Sequence, residues 1–278
     1  KIKVIIKSFV IYWQRRGDNM EIELSKRDIL ILCLVFSISF FLLGLLIDDF
    51  NLPAAMRVSS NRLVPIYKVD TPEKKVAITL DGMWGAKYTP EILKILRDHD
   101  VNITFFFGGN WLEENPHLVK EIAANGHEVG NHSYTHPHMA KLTSEEIIQE
   151  LNRTGELIKE LTGQKPDLFR PPFGEYNNRL IKTSRQQEYH IVQWSIDSLD
   201  WKDVSAQYIV KRVLKKIGPG EIVLMHNNGQ NTAQALKQLI PKIKEEGYEI
   251  VPLSELIYKD NYYVESHSGL QKQHKGVE

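Results

Sequence analysis

Residues 74–100, KKVAITLDGMWGAKYTPEILKILRDHD, indicate how this chain folds. The first part, residues 74–81, is a short β-branched and apolar run that is typical of a buried strand. The second part, residues 89–100, has apolar residues at helical spacing, with Pro90 in the first turn, where proline is tolerated. The stretch therefore predicts a strand followed directly by a helix.

The same alternation of strand and helix recurs about seven times along the chain. Further strands are predicted at NITFFFGG, EVGNH, LFRPPFG, HIVQWSID, EIVLMH and YEIVPLSELI. Between them lie helical segments, of which residues 143–163 begin with a capping box, Thr143 with Glu146, and end at Gly163. Such alternation indicates a parallel sheet with crossover helices. No dinucleotide fingerprint follows the first strand, so a β/α barrel is favoured over a Rossmann sheet.

The composition excludes several classes of protein. The 278 residues include 35 Lys plus Arg and 35 Asp plus Glu, so no overall basic charge favours nucleic acid as a partner. The hydrophobic fraction of 42% is ordinary for a globular protein. Cys33 is the single cysteine, which excludes an intrachain disulfide and a metal site built on several thiolates. Any metal ion must be held by nitrogen and oxygen.

An uncharged apolar run, residues 29–47, has the length of a membrane span, since a bilayer core needs about 20 residues. A buried helix and a cleaved signal peptide are the alternatives. Lys26 and Arg27 precede the run, and Asp48 and Asp49 follow it. By the positive-inside rule, this predicts a single-pass anchor at the cell membrane with the remaining chain outside the cytoplasm.

The run divides the chain into five predicted parts. Residues 1–28 form a cytoplasmic segment. Met20 is a candidate start of the protein; alternatively, the residues before it form an amphipathic segment that lies on the membrane. The anchor at 29–47 is followed by a linker at 48–70, which contains Pro53 and Pro65. The folded domain covers 71–258. Residues 259–278 are predicted to form a loose polar tail.

Polar residues of catalytic types fall at the ends of the predicted strands. They are Asp81, His132, His136, Arg170, Asp197, Asp200 and His226. In a β/α barrel the carboxyl ends of the strands share one rim, which carries the active site. A single Asp at a strand end usually caps a helix, and a single His usually packs. Five strand ends with such residues together predict a catalytic site.

The motifs TLDG, HSYTH, RPPFG, DSLDW and LMH, in this order, resemble the carbohydrate esterase family 4 polysaccharide deacetylases, also called the NodB-homology domain. The resemblance covers about residues 70–258. It implies a distorted (β/α) barrel of about seven parallel strands. The form LDGMWG, with Trp84 after the aspartate, resembles the sporulation deacetylases of clostridia and bacilli.

The resemblance also implies roles for individual residues. His132 and His136 match the metal ligands of a divalent ion, most often zinc, with cobalt, manganese or nickel as alternatives. Asp81 matches the catalytic base and Arg170 the arginine paired with it. The remaining assignments are a catalytic acid at His226, a carboxylate that orients it at Asp200, and walls of the sugar and acetyl pockets at Trp201, Leu224, Pro171 and Phe173. For Trp201 and Leu224, plain core packing is the alternative.

One position departs from the family pattern. The first motif of the family has a second aspartate, a metal ligand, where this chain has Gly82. Catalytic zinc is usually held by three protein ligands, and two histidines supply only two. Gly82 thus counts against catalysis, but Arg170, Asp200 and His226 favour an enzyme. We expect a membrane-anchored de-N-acetylase that hydrolyses N-acetyl groups of cell-wall glycan, from N-acetylglucosamine or N-acetylmuramic acid. The alternative is a metal-poor pseudoenzyme that binds glycan at the cell wall.

Overall fold

The computed structural model describes residues 9–15, 18–24, 26–48 and 62–274. The chain divides into two compact units, Lys1–Ser60 and Asn61–Glu278. In the first unit, β1 (Phe9–Arg15) pairs antiparallel with β2 (Asp18–Leu24), and helix α1 (Lys26–Asp48) follows. We did not predict this strand pair in the basic and apolar segment.

The predicted membrane anchor is not supported. Among the helices that the structure describes, none has the combination of length and apolarity needed to span a bilayer.

The second unit alternates strands with helices, as predicted. Its strands are β3 (Lys68–Val69), β4 (Lys75–Gly82), β5 (Thr104–Phe107), β6 (Glu128–Asn131), β7 (Leu168–Phe169), β8 (His190–Ile191), β9 (Ile196–Asp197), β10 (Ile222–His226), β11 (Glu249–Ile250), β12 (Tyr262–Val264) and β13 (Leu270–Gln273). Its helices are α2 (Thr89–Asp98), α3 (Gly109–Glu114), α4 (Pro116–Ala124), α5 (Ser144–Thr162), α6 (Asn178–Gln186), α7 (Ala206–Leu214), α8 (Thr232–Glu245) and α9 (Leu253–Leu256). The capping box of α5 is confirmed, with Thr143 as N-cap and Gly163 at φ 77° as C-cap.

The main sheet is parallel throughout and has the strand order β8-β7-β6-β5-β4-β10-β9, with β11 also paired to β4. The α/β class with a parallel sheet is therefore confirmed. Strand β4 lies near the middle, and all its residues after Lys75 are buried. Such two-sided burial explains why its sequence is a nearly continuous apolar run.

The sheet curls into an incomplete barrel. Strands β8 and β9 lie at its opposite edges, yet only residues 192–195 separate them in sequence. Five Cα steps span at most about 17 Å, so the two edges must approach each other. In the described chain β8 and β9 are not paired, so the barrel stays open between them. The single strand predicted at HIVQWSID is thus wrong, because residues 192–195 cross this gap.

The faces of β4 determine where the site lies. Val76, Ile78 and Leu80 pack with residues of the surrounding helices in the largest hydrophobic cluster. Ala77 belongs to a second cluster, inside the curled sheet. Since side chains alternate along a strand, Asp81 shares the inner face with Ala77. Asp81 is therefore directed into the open end of the barrel.

The segment after residue 258 differs from the predicted loose tail. Strands β12 and β13 pair antiparallel, and β13 pairs parallel with β3 to complete a three-stranded sheet. Gln271 is fully buried, and its side chain accepts a hydrogen bond from the Tyr258 amide and donates one to the Tyr258 carbonyl. Residues 68–69, which we predicted to be linker, form the other edge of this sheet.

Candidate active site

The predicted polar residues converge at one end of the sheet. Asp81 and His226 are directly opposite each other in the register of β4 and β10. His132 follows β6 and Arg170 follows β7, so both enter from the other side. A cleft of about 740 Å³ opens here. Its lining comprises Asp81, Gly82, Met83, Trp84, His132, His136, Pro171, Phe173, Gly174, Trp194, Asp197, Trp201, Asp203, Leu224, His226, Asn228 and Gly229.

Asp81 forms a buried ion pair with Arg170. The Nη1 of Arg170 donates to Asp81 Oδ1 at 2.7 Å and to Thr79 Oγ1 at 2.8 Å, and Nη2 donates to the Gln193 carbonyl at 3.1 Å. Arg170 is fully buried and lies over the ring of Phe106. Burial alone raises the pKa of Asp81, but the nearby charges, first that of Arg170, lower it below its ordinary value. Asp81 is therefore a carboxylate at neutral pH.

His132 and His136 present neutral imidazoles to the cleft. His132 Nδ1 donates to the Arg170 carbonyl at 2.7 Å, which leaves Nε2 as an acceptor, 3.6 Å from Asp81 Oδ2. Burial lowers the pKa of His132, and burial followed by the nearby His132 lowers the pKa of His136 to about 4. The two rings meet edge to face, with centroids 4.9 Å apart. Neutral nitrogens of this kind suit metal ligation.

The loop that holds the two histidines is fixed from α5. Glu150 accepts hydrogen bonds from the amides of Tyr134 and Thr135, at 2.7 and 2.9 Å, and from the Thr135 hydroxyl. Ser133 and His136 have positive φ, a conformation that L residues seldom adopt. Such strain persists only where surrounding contacts hold it, and Glu150 supplies them.

His226 and Asp200 form a second pair, with His226 on the strand next to that of Asp81. His226 Nδ1 donates to Asp200 Oδ1 at 2.8 Å, and the His226 amide donates to Oδ2 at 2.7 Å. Asp200 is fully buried, and the Thr232 hydroxyl also donates to its Oδ2. Burial lowers the pKa of His226, but the hydrogen bond to Asp200 and the charges of Asp200, Asp81 and Asp197 raise it above its ordinary value. The ring is therefore suited to carrying a proton near neutral pH.

Aromatic side chains surround the mouth of the cleft. Trp84, Phe173 and Trp201 are 60%, 55% and 53% exposed, which is unusual for large apolar side chains and rules out core packing for Trp201. Leu224 is 4% exposed and forms a wall of the cleft, with Pro171 also in the lining. Sequence reasoning did not assign Trp84 to the site, although it lies three residues beyond Asp81 and its ring contacts His136.

The ligand set fits a metal ion only in part. In the described chain no three His, Cys, Asp or Glu side chains are arranged to hold an ion. His132 has the carbonyl partner that orients a metal-binding imidazole, and His136 Nδ1 is buried without a hydrogen-bond partner. Gly82 contributes no side chain. A catalytic ion with three protein ligands does not fit these residues.

Comparison with known proteins connects this chain to a family. A family model described as polysaccharide deacetylase matches residues 68–192. A peptidoglycan-N-acetylglucosamine deacetylase of Bacillus cereus is 39% identical over 67% of this chain and 70% of its own length. An uncharacterized protein of Bacillus subtilis, YlxY, is 40% identical over 69% of this chain. The alignment spans only 60% of that relative.

A solved structure adds a contrasting relative. BA3943 of Bacillus anthracis, described as a pseudoenzyme of carbohydrate esterase family 4, is 41% identical with a TM-score of 0.67. The alignment covers 70% of this chain and 69% of that one. A mutant of BA3943 is described as having restored enzymatic activity. The same fold and a similar sequence thus occur in both an enzyme and a pseudoenzyme.

Proposed function

The chain belongs to the polysaccharide deacetylase family, hydrolases of non-peptide amide bonds, and we propose that it removes acetyl groups from N-acetylglucosamine units of cell-wall peptidoglycan. The observation that carries this proposal is the pair of dyads, Asp81 with Arg170 and His226 with Asp200, whose Asp81 and His226 line one cleft from neighbouring strands. Amide hydrolysis needs a base for water and an acid for the leaving amine, and the two dyads match these needs.

Asp81 supplies the base. Its carboxylate is kept ionised by Arg170, and Oδ2 is left to accept a proton from a water molecule in the cleft. Arg170 also fixes the direction of the carboxylate, because Nη1 is held at the same time by Thr79.

His226 supplies the acid. Asp200 fixes the ring through Nδ1, so Nε2 is the nitrogen that donates a proton to the leaving amine. Because its pKa is raised, the ring stays protonated up to a higher pH than an ordinary histidine does. The acetyl group leaves as acetate, and the sugar keeps the amine.

The aromatic rim supplies binding to sugar. Trp84, Phe173 and Trp201 offer exposed ring faces at the mouth of the cleft, and a pyranose ring packs on such a face. His132 and His136 are the residues that would hold a divalent ion, zinc before cobalt, manganese or nickel. When bound, that ion would polarise the acetyl carbonyl. With two ligands we expect it to bind weakly.

A second candidate function is glycan binding without catalysis. The absence of a ligand at Gly82 favours it, and BA3943, described as a pseudoenzyme, shows that the family includes proteins without the enzymatic activity. The two candidates differ in the need for His226, because a binding module does not need a proton donor beside its ligand.

An acetate-release assay separates the two candidates. The full chain, with added zinc, is incubated with purified peptidoglycan or with chitooligosaccharides. We expect release by the wild type and a loss of roughly 10²- to 10⁴-fold in His226→Ala, the range for general acid catalysis. Glycan binding should persist in that variant and weaken in Trp201→Ala. Binding by the wild type without any acetate release would favour the second candidate, and an equally active His226→Ala would remove His226 from the mechanism.

The proposed substrate also implies a location. Peptidoglycan lies outside the cytoplasmic membrane, so we propose that residues 71–258 act outside it. Protease added to intact spheroplasts should digest this domain, and complete protection would contradict the proposal.

A further inference from the structure

Gly82 lies where a side chain has no room. A Cβ built on Gly82 would lie 2.5 Å from Cε1 and 2.6 Å from Cδ1 of Phe107, closer than side-chain atoms approach in proteins. The Asn227 Oδ1 oxygen would be 3.0 Å away. Gly82 does not have a positive φ, so its backbone would accept an L side chain. The restriction at this position is therefore one of space.

The ring of Phe107 is held in place by two stacked aromatic neighbours. Phe107 stacks on Trp111 with centroids 3.9 Å apart and planes 3° from parallel, and on Phe105 at 5.4 Å. All three side chains are fully buried. Trp111 is fixed in turn by a hydrogen bond from Nε1 to the Gly85 carbonyl at 2.8 Å. The ring cannot turn aside without disturbing this stack, since closely packed cores transmit such strain.

The register of the sheet places Phe107 directly across from Gly82, at the ends of β5 and β4. Gly82 also lines the cleft, next to Asp81. The α carbon of residue 82 thus lies at the edge of the cleft, and the first atom of any side chain there would meet the Phe107 ring. The buried Asn227 Oδ1 has no hydrogen-bond partner and would face a new carboxylate with a second acceptor.

We propose that Phe107 determines the metal ligand set of this site, because its ring fills the place from which residue 82 would supply a third ligand. The two residues are a matched pair, and replacing Gly82 alone cannot restore that ligand. The inference rests on the proposed function only in assigning His132 and His136 to a metal ion. Both of its readouts, zinc affinity and melting temperature, are independent of turnover.

The full chain is titrated with zinc as wild type, Gly82→Asp, Phe107→Val and the double variant. Gly82→Asp alone should bind zinc no more tightly than the wild type. The double variant should bind it tenfold or more tightly, an increase that corresponds to about 1.4 kcal/mol. Gly82→Asn combined with Phe107→Val is the matched control, with the same shape and no charge, and should not reach that affinity.

Melting temperature tests the packing by itself. Overpacking a core is destabilising, so Gly82→Ala should lower the melting temperature by about 5 °C in the wild-type background. The same change should cost little in the Phe107→Val background. This pair of variants remains informative if Gly82→Asp fails to fold.

Two results would overturn the proposal. One is an equal effect of Gly82→Ala in both backgrounds, since Phe107 would then not restrict residue 82. The other is a zinc affinity of the Gly82→Asp, Phe107→Val variant that does not exceed that of the Asn control. An inactive protein with both expected results would support the proposal and count against the proposed function.

Discussion

Replacing Asp200 by Asn should change the protonation of His226 more than any other substitution in the cleft. Asp200 accepts from both Nδ1 and the backbone amide of His226, at 2.8 and 2.7 Å, and is itself fully buried. The Asp200→Asn substitution keeps the size of the side chain but removes its charge. Burial lowers the pKa of His226, and the charge of Asp200 would no longer offset this effect.

The magnitude follows from the hydrogen bond. A hydrogen bond to a charged group contributes about 1.5 to 3 kcal/mol, and a pKa unit corresponds to about 1.36 kcal/mol, so the pKa of His226 should fall by about 1 to 2 units. Because the acid must be protonated to act, the alkaline limb of the pH profile should move to lower pH by the same amount. The variant should therefore lose most of its activity near pH 7.

The imidazole resonances of His226, followed by NMR through a pH titration, give this pKa even in an inactive protein. Acetate release against pH gives the limb. Asp197→Asn is the control, because Asp197 acts on His226 only through its charge and contributes less. We expect a smaller shift in the same direction. A shift in Asp200→Asn no larger than in this control would refute the role given to Asp200.

Two further predictions concern stability. Arg170→Met should leave the Asp81 carboxylate buried without its cation, which costs about 3–5 kcal/mol of unfolding free energy at pH 7, and an unchanged urea midpoint would contradict this ion pair. Burial lowers the pKa of His127 to about 4, so as pH falls the unfolded chain binds a proton at this residue before the folded chain does. The contribution of neutral His127 to the free energy of unfolding is therefore complete above about pH 6.5 and is lost as pH falls from there towards 4. His127→Gln should therefore show a smaller drop in unfolding free energy over that window than the wild type, by urea denaturation at each pH.

The location of the site residues could be predicted from sequence because each lies at the end of a predicted strand. Asp81, His132, Arg170 and His226 each come at or just after the end of a strand, and a parallel sheet brings all such ends to one rim. The location of these residues thus needed only the order of strands and helices. Their roles came from the motifs, and the dyads found in the structure are consistent with them.

The role of Phe107 could not be predicted in the same way. The sequence TFFF shows three aromatic residues in a strand, and alternation places Phe105 and Phe107 on one face. That Phe107 lies opposite Gly82, however, depends on the register between β5 and β4. No local pattern specifies that register. The single strand predicted at HIVQWSID was wrong for a related reason. Its two ends belong to opposite edges of the sheet, and an apolar run in the sequence does not show this.

The pairing of β3 with β13 has a consequence for protein synthesis. Val69 emerges from the ribosome about 200 residues before its partner Gln271, which at 5 to 20 residues per second is an interval of about 10 to 40 s. During that interval the edge of β3 that later pairs with β13 has no partner strand, even if the rest of the barrel has already folded. A chain whose translation stops before β13 would keep the cleft residues but leave this edge of β3 unpaired, and an unpaired edge is a template for aggregation with other chains.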